Sequence, residues 1–433
     1  MKQISPLQQA YGKFSKIILS TLVFSFAINC LLFVGPLYML QIYDRVLSSR
    51  NETTLVMISL IALAMLMVYG IMEFVRSRML VRAGLQFDDV LTSTIFPRVV
   101  KARLANPNGG ADYILSDIDK VREFLTGQGI LTFFDALWVP LFLVVCYLFH
   151  PMLGAIAICG AVVIFILAFL NDFMTKTQLQ EANNAVQGAN QFAGAVLQNA
   201  EVIRSMGMEK PLGERWRDRH ATMLVAQAGA SDKAGAIMAF SKFIRMALQS
   251  AILGAGAYLA LQQQVSPGVM IAASIMMGRA LSPVEQSVAQ WKQFVSARQA
   301  SARMKRLFDS VPADLERTEL PKPLGEISVE QFTTLVPGTR TPLLKGINFQ
   351  VPAGQTLAVV GPSGSGKSTL LRSLVGVQAA ANGTIRIDGA ELSQWNADQL
   401  GQYLGYLPQD VKLFSGTIAE NISRFGDADS EDV

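Results

Sequence analysis

Gly361-Pro-Ser-Gly-Ser-Gly-Lys-Ser368 is the stretch on which the reading of this chain turns. The octet fits G-x-x-x-x-G-K-[ST], a loop that wraps a nucleotide's phosphates. Ahead of it, Thr356–Val360 reads as a buried apolar strand running straight into the glycines. Behind it, Ser368-Thr-Leu-Leu-Arg-Ser-Leu-Val375 has helical character. Strand, glycine loop, helix is the context the motif requires. Gly361, Gly364 and Gly366 let the backbone turn its N–H groups inward, adding to the positive end of the following helix. Lys367 is expected to reach the β- and γ-phosphates and the Ser368 hydroxyl to help hold Mg²⁺, with Thr369 contacting phosphate through its backbone or hydroxyl. The candidate nucleotide set is therefore Gly361, Pro362, Ser363, Gly364, Ser365, Gly366, Lys367, Ser368 and Thr369. A chance match in a chain of this length is on the order of one in a hundred.

Outward from the loop, Val311-Pro312 and Leu320-Pro-Lys-Pro-Leu-Gly325 read as a linker over 311–325. Glu326–Phe332 and Gly346–Val351 read as short strands, so residues 326–433 form a partial α/β P-loop domain. Only about 65 residues follow the loop, fewer than a whole domain of this kind needs.

Residues 1–310 have another character. The chain is 51% hydrophobic and 16% charged, against about 25% charged in soluble domains, which leans toward membrane. A net charge of +4, dispersed along the chain, does not point to nucleic acid as a partner. The three cysteines, Cys30, Cys146 and Cys159, fall inside apolar runs without metal-ligand spacing and read as small lipid- or bundle-facing residues. Six stretches can cross about 30 Å of hydrocarbon: Ile17–Leu40, Thr54–Val75, Leu131–Phe149, Met152–Leu170, Gly235–Leu261 and Val269–Gln290. An α-helical six-span domain is expected. Lys and Arg concentrate in the N-terminal tail (Lys2, Lys13, Lys16) and in the second-to-third and fourth-to-fifth connections, which places both termini in the cytoplasm. Those two connections mix apolar and charged residues at helical spacing with few breakers beyond Pro97, Pro107 and Pro211, so the spans should continue as helices beyond the bilayer. Ala247, Ala251 and Ala255, with Ser250 and Gly254, offer a small-residue face for close packing. Gly35-Pro36 and Pro283 read as kinks. Asn29 and Asp135 should face the bundle or a cavity.

The loop alone does not separate transporters from kinases or GTPases, but the next segment does. Tyr403-Leu-Gly-Tyr-Leu-Pro-Gln409-Asp and Leu413-Phe-Ser-Gly-Thr-Ile-Ala-Glu-Asn-Ile422 resemble the Q-loop region of ABC exporters. Gly35–Leu47, Asn199–Met208 and Met277–Gln286 extend the likeness over nearly the whole chain, to the type I secretion ATPase/permeases that export proteases and haem-binding proteins. The resemblance implies ATP and Mg²⁺ as cofactors, with Gln409 touching Mg²⁺ and the attacking water and Ser368 as the other metal contact. It implies a homodimer in the bacterial inner membrane, a periplasmic adaptor and an outer-membrane channel as partners, and an unfolded protein with a C-terminal signal as cargo. Segments near Ile114–Val121 and Met206–Trp216 become candidate coupling helices.

Two departures from the family pattern stand out. The adenine-stacking aromatic expected about 25 positions before the loop is Val336 here, with Phe332 the nearby upstream aromatic, so weaker nucleotide affinity or a substitute contact is expected. After Gln409 there is no Leu-Ser-Gly-Gly-Gln-like signature, no Walker B aspartate with its glutamate and no switch histidine, and Asp427–Val433 reads as the start of an acidic loop cut short. A fragment of a longer protein is therefore expected, unable to activate water by itself. Two further readings stay open: an exporter of lipids or small amphiphiles, and a non-hydrolysing membrane scaffold.

Overall fold

The computed structural model describes residues 6–106, 113–311, 317, 320–336, 339, 341–409, 411 and 413–426. Lys2, Pro107, Pro312, Pro337-Gly338, Asp410 and Asp427–Val433 lie outside them. The chain falls into two units, residues 1–103 with 109–312, and residues 104–108 with 313–433.

The first unit is helical throughout. Helices α1 (Pro6–Leu31), α2 (Val34–Gln41) and, after a π-helical turn at Ile42–Val46, α3 (Leu47–Ser49) form the first span, which bends at Leu32–Phe33 next to Gly35-Pro36. Arg50, in a left-handed conformation (φ 51°), turns the chain into α4 (Glu52–Ala105). Then come α5 (Tyr113–Thr126), α6 (Gln128–Ala136), α7 (Val139–Phe149), α8 (Pro151–Gln198), α9 (Ala200–Ser205), α10 (Glu209–Leu261), α11 (Pro267–Ala289) and α12 (Trp291–Ser310). Among the described residues, six helical stretches are long and apolar enough to cross a membrane, one for each span read from the sequence. The described residues of the two long connections are mostly helical as well. At 1.5 Å per residue the 54 residues of α4 reach about 80 Å, well over twice the hydrocarbon thickness.

Two large apolar cores hold this unit, with a small third cluster at Leu179, Ala230 and Val295. One joins Phe142 and Cys146 of α7, Leu153 and Ile164 of α8, Ile252 of α10 and Met276 of α11. The other joins Leu80, Phe87 and Leu91 of α4 to Val121 of α5 and to Met304 of α12. Large apolar side chains such as Leu60, Met67, Phe169 and Phe173 face outward on the spans, where lipid replaces water. Asn29 and Asp135 meet inside the bundle. Asp135 Oδ1 accepts from Ser25 (2.6 Å), Asn29 (3.0 Å) and Arg76 (2.8 Å), and Arg76 also donates to both oxygens of Glu73.

The small-residue face of α10 does not pack as expected. Ala247, Ser250, Ala251 and Gly254 are exposed and only Ala255 of that face packs against the core, while the buried row is Ile252, Gly256 and Leu259, with Leu248 half-buried beside it. Met270 of α11 lies against this row at Gly256, and Met277 of α11 and Leu248 both lie over Gly160 of α8. Gly256 is where backbones come close: a Cβ there would lie 2.8 Å from Met270. The two candidate coupling segments also change shape. Ile114–Val121 lies within the 14-residue α5, and Met206–Trp216 is a turn at Met206–Met208 followed by the first residues of α10.

Asp44, in the π-helical turn, caps a helix far away in sequence. Its Oδ1 accepts from the Gly268 N–H (2.9 Å) and its Oδ2 from the Ser266 hydroxyl, while Ser266 Oγ accepts from Val269 N–H (3.2 Å). Ser266-Pro267-Gly268 is thus an N-cap completed by a carboxylate from the first span. A Cβ on Gly268 would sit 2.6 Å from that carboxylate. Gly268→Ala is therefore expected to lower stability by about 1–2 kcal/mol, the worth of a lost cap. Gly188→Ala, with nothing within 4 Å, should be neutral or stabilising. Thermal unfolding of the two variants in one detergent decides it: equal midpoints would mean that Asp44 is not a cap.

The second unit is built on an antiparallel sheet of β1 (Ile327–Leu335), β2 (Pro342–Val351), β3 (Asn382–Ile387) and β4 (Ala390–Glu391), in the order β2-β1-β3-β4. Helices α13 (Lys367–Leu374), α14 (Ala397–Tyr403) and α15 (Ile418–Ile422) complete it. Thr356–Val360, expected as a buried strand, is extended chain outside the sheet, and Val360 is 88% exposed. A strand needs backbone partners, and among the described residues no strand lies beside it. The linker is tied to the sheet through the β3–β4 turn, where Asp388 accepts from Leu324 N–H (2.5 Å), Gly325 N–H and Glu326 N–H (2.9 Å). Partial burial nudges the Asp388 carboxyl upward, but the three N–H groups outweigh it and hold it below the ordinary carboxylate range. With a lowered folded value, the clamp contributes at neutral pH and is lost as acid takes the pH down through that value.

Candidate nucleotide site

The glycine loop is set by what packs beneath it. Leu370 of α13 is buried with Val329 and Phe332 of β1, Leu344 of β2 and Ile385 of β3, which anchors the helix on the sheet with its N-terminus free. Gly366 is the N-cap of α13 at φ 93°, where a side chain would be strained, and its missing Cβ leaves room for Leu344, 2.6 Å from where that atom would be. Leu370 N–H bonds back to the Gly366 carbonyl (2.9 Å), so the helix ladder starts there and leaves the preceding N–H groups outside it. Gly361–Ser365 and Ser368 are exposed, with Ser368 in the first turn. The Lys367 ammonium lies across the loop, donating to the carbonyls of Gly361 (2.8 Å) and Pro362 (2.7 Å). Open N–H groups, a helix N-terminus and a lysine on one exposed loop fit a polyphosphate.

Gln409 is exposed on the chain after α14, and no hydrogen bond among the described residues joins it to the glycine loop. The segment behind it is self-supporting. Thr417 and Glu420 form a capping box on α15: Glu420 accepts from the Thr417 N–H (2.6 Å), and Thr417 Oγ1 accepts from the Glu420 N–H (3.1 Å). Bonds from the Thr417 N–H and, with its proton, the Thr417 hydroxyl hold the Glu420 carboxyl below its ordinary range. Asn421 bonds both the N–H and the carbonyl of Phe414, closing the Phe414–Asn421 loop. The T-x-x-E signature of this box is legible at 417–420 but had no part in the sequence reading. Phe332 is fully buried under the sheet and cannot stack a base, so it offers no substitute for an aromatic at Val336. Val336 itself is half-buried at the end of β1, its N–H donating to the Thr341 carbonyl (2.9 Å).

Comparison with known proteins agrees with this arrangement. The family described as ABC transporter transmembrane region matches residues 17–282, and the ABC transporter family, an ATP-binding domain, matches 344–433. The type I secretion system ATP-binding protein PrsD of Rhizobium meliloti (strain 1021) is 41% identical over 413 residues, 95% of this chain and 71% of the relative. The leukotoxin translocation ATP-binding protein LktB of Mannheimia haemolytica is 25% identical over 95% of this chain. The chain spans 59% of that relative's length. A solved bacterial Atm1-family ABC exporter with ATP bound shares the fold, with a TM-score of 0.74 at 20% identity, over 95% of this chain and 74% of that one. The chain belongs to the ABC transporter family, in the branch of the type I secretion ATP-binding proteins. It is a multi-pass membrane protein of exporter type.

Proposed function

We propose that the chain is the ATP-binding permease of a type I secretion system, coupling ATP to the export of an unfolded protein with a C-terminal signal. The observation that carries this reading is a phosphate-binding loop, open on a helix N-terminus, in one chain with six apolar helices of membrane-spanning length and 41% identity to PrsD. In it residues 1–310 are the transmembrane domain, 311–325 the linker and 326–433 the N-terminal part of the nucleotide-binding domain. Lys367 and the loop N–H groups bind and orient the ATP phosphates. Ser368 and Gln409 hold Mg²⁺, which neutralises charge on the phosphates when bound. Two copies form one pathway, working with a periplasmic adaptor and an outer-membrane channel, and both termini face the cytoplasm.

The test is export by cells that carry the full-length gene of this protein with an adaptor, a channel and a tagged cargo. Cargo in the medium, lost on deleting its C-terminal signal, is expected. Cargo retained in both cases, with labelled lipid moved instead across vesicles holding the purified chain, would favour an exporter of amphiphiles. The adenine position has its own check. Val336→Tyr is expected to raise ATP affinity by about 1–3 kcal/mol, roughly five- to more than a hundredfold, through ring stacking. Unchanged affinity in a fluorescent-nucleotide titration would place the adenine elsewhere.

A further inference from the structure

We propose that the cavity where the fourth, fifth and sixth spans end binds the headgroup of a phospholipid that carries a hydrogen-bond donor beyond its phosphate. The proposal rests on the chain spanning a membrane, and not on what it exports. Read from the sequence, these spans end at Leu170, Gly235 and Gln290. A cavity of about 210 Å³ opens between Asn171, Gly235 and Trp291, within one residue of each of those ends. Three independent span boundaries therefore put it at the level where hydrocarbon gives way to headgroups, the level that tryptophan and lysine favour.

Its wall is mostly apolar, including Leu179, Met238 and Val288. Two polar atoms in that wall are buried and have no partner among the described residues: the Asn171 side-chain oxygen and the Trp291 indole N–H. Asn171 is 1% exposed, and its backbone carbonyl is taken by the Thr175 hydroxyl (2.5 Å). Buried polar atoms left unpaired are costly, so a matching occupant is favoured. It must accept from Trp291 and donate to Asn171. Exposed Lys292 lies at the rim, where it would face an anion. Phosphate meets the Trp291 N–H and Lys292, and the ammonium of phosphatidylethanolamine or the glycerol hydroxyl of phosphatidylglycerol meets Asn171. Phosphatidylcholine has the phosphate but no N–H or O–H. The volume suits a headgroup, since a cavity of about 150 Å³ already takes a benzene molecule.

The site also has mechanical meaning. Trp291 is the first residue of α12, just after the break at Gln290 that ends α11, and Asn171 is on α8. A headgroup bridging them would hold the junction between the sixth span and its extension at one angle.

Native mass spectrometry of the purified full chain, equilibrated with equal phosphatidylethanolamine and phosphatidylcholine, tests it. About tenfold preferential retention of phosphatidylethanolamine is expected, the worth of one hydrogen bond to a buried acceptor. Asn171→Leu should bring the ratio to about one. Trp291→Phe, which keeps the ring packing with Phe133 and Phe294, should reduce retention of both lipids several-fold. A ratio near one in the native chain would overturn the proposal. So would a preference that survives Asn171→Leu, or, should that variant not fold, retention unchanged in Trp291→Phe.

Discussion

Asp117→Ala is expected to destabilise the helical unit by about 3–5 kcal/mol, the cost of removing one partner of a buried ion pair. The Asp117 side chain is fully buried between α5 and α12. Arg303 grips it with two parallel bonds, from Nε (2.6 Å) and Nη2 (2.8 Å), and Lys120 adds a third (2.9 Å). Without the carboxylate, Arg303 is left three-quarters buried with its charge uncompensated. Asp117→Asn, which keeps the shape and one acceptor, should lie between alanine and the native residue. Asp117→Leu with Arg303→Met should recover much of the loss, because apolar pairs of similar volume replace buried ion pairs well. Denaturant unfolding of the four proteins separates these cases. If Asp117→Ala were as stable as the native chain, the pair would be screened by solvent and the helical core alone would hold α5 on α12.

The second large effect concerns the nucleotide. Lys367→Ala should weaken ATP binding by about 1.5–3 kcal/mol, ten- to more than a hundredfold, the worth of charge-assisted hydrogen bonds to phosphate. Its ammonium already lies across the loop on the Gly361 and Pro362 carbonyls, so it needs only to exchange partners. The stability of the unit should not fall, because those two bonds are exposed. Photolabelling of the reconstituted chain with an azido-ATP, against Lys367→Ala at matched protein, measures it. Equal labelling would show that the phosphates are held without this lysine.

What could be read from the sequence divides along a physical line. The spans were legible because hydrophobic length needs no partner to be recognised, and the glycine loop because its backbone geometry is written in residue type. Features set by distant contacts were not. Asp44 in its polar turn gives no hint of the helix it caps at Gly268, and Asp117 looks like a solvated helix residue until Arg303 arrives. Thr356–Val360 has the composition of a buried strand, but composition cannot supply the neighbour that would pair with it. The inward row of α10 was misjudged for a similar reason. Small residues permit close approach, yet of that face only Ala255 packs against the core, beside Ile252 and Leu259.

The 53-residue α10 also works as a stiff lever. Its one proline, Pro211, sits in the first turn, where a missing N–H breaks no ladder bond, so no proline kinks the rod from there to Leu261. From Glu209 to the start of the fifth span is roughly 40 Å of helix at 1.5 Å per residue. A sideways stroke of about 3.5 Å at that far end therefore arrives at the bilayer as a tilt of about 5°. Bending is left to the turn at Met206–Met208, so force applied at the tip reaches the span as rotation and little of it is absorbed on the way.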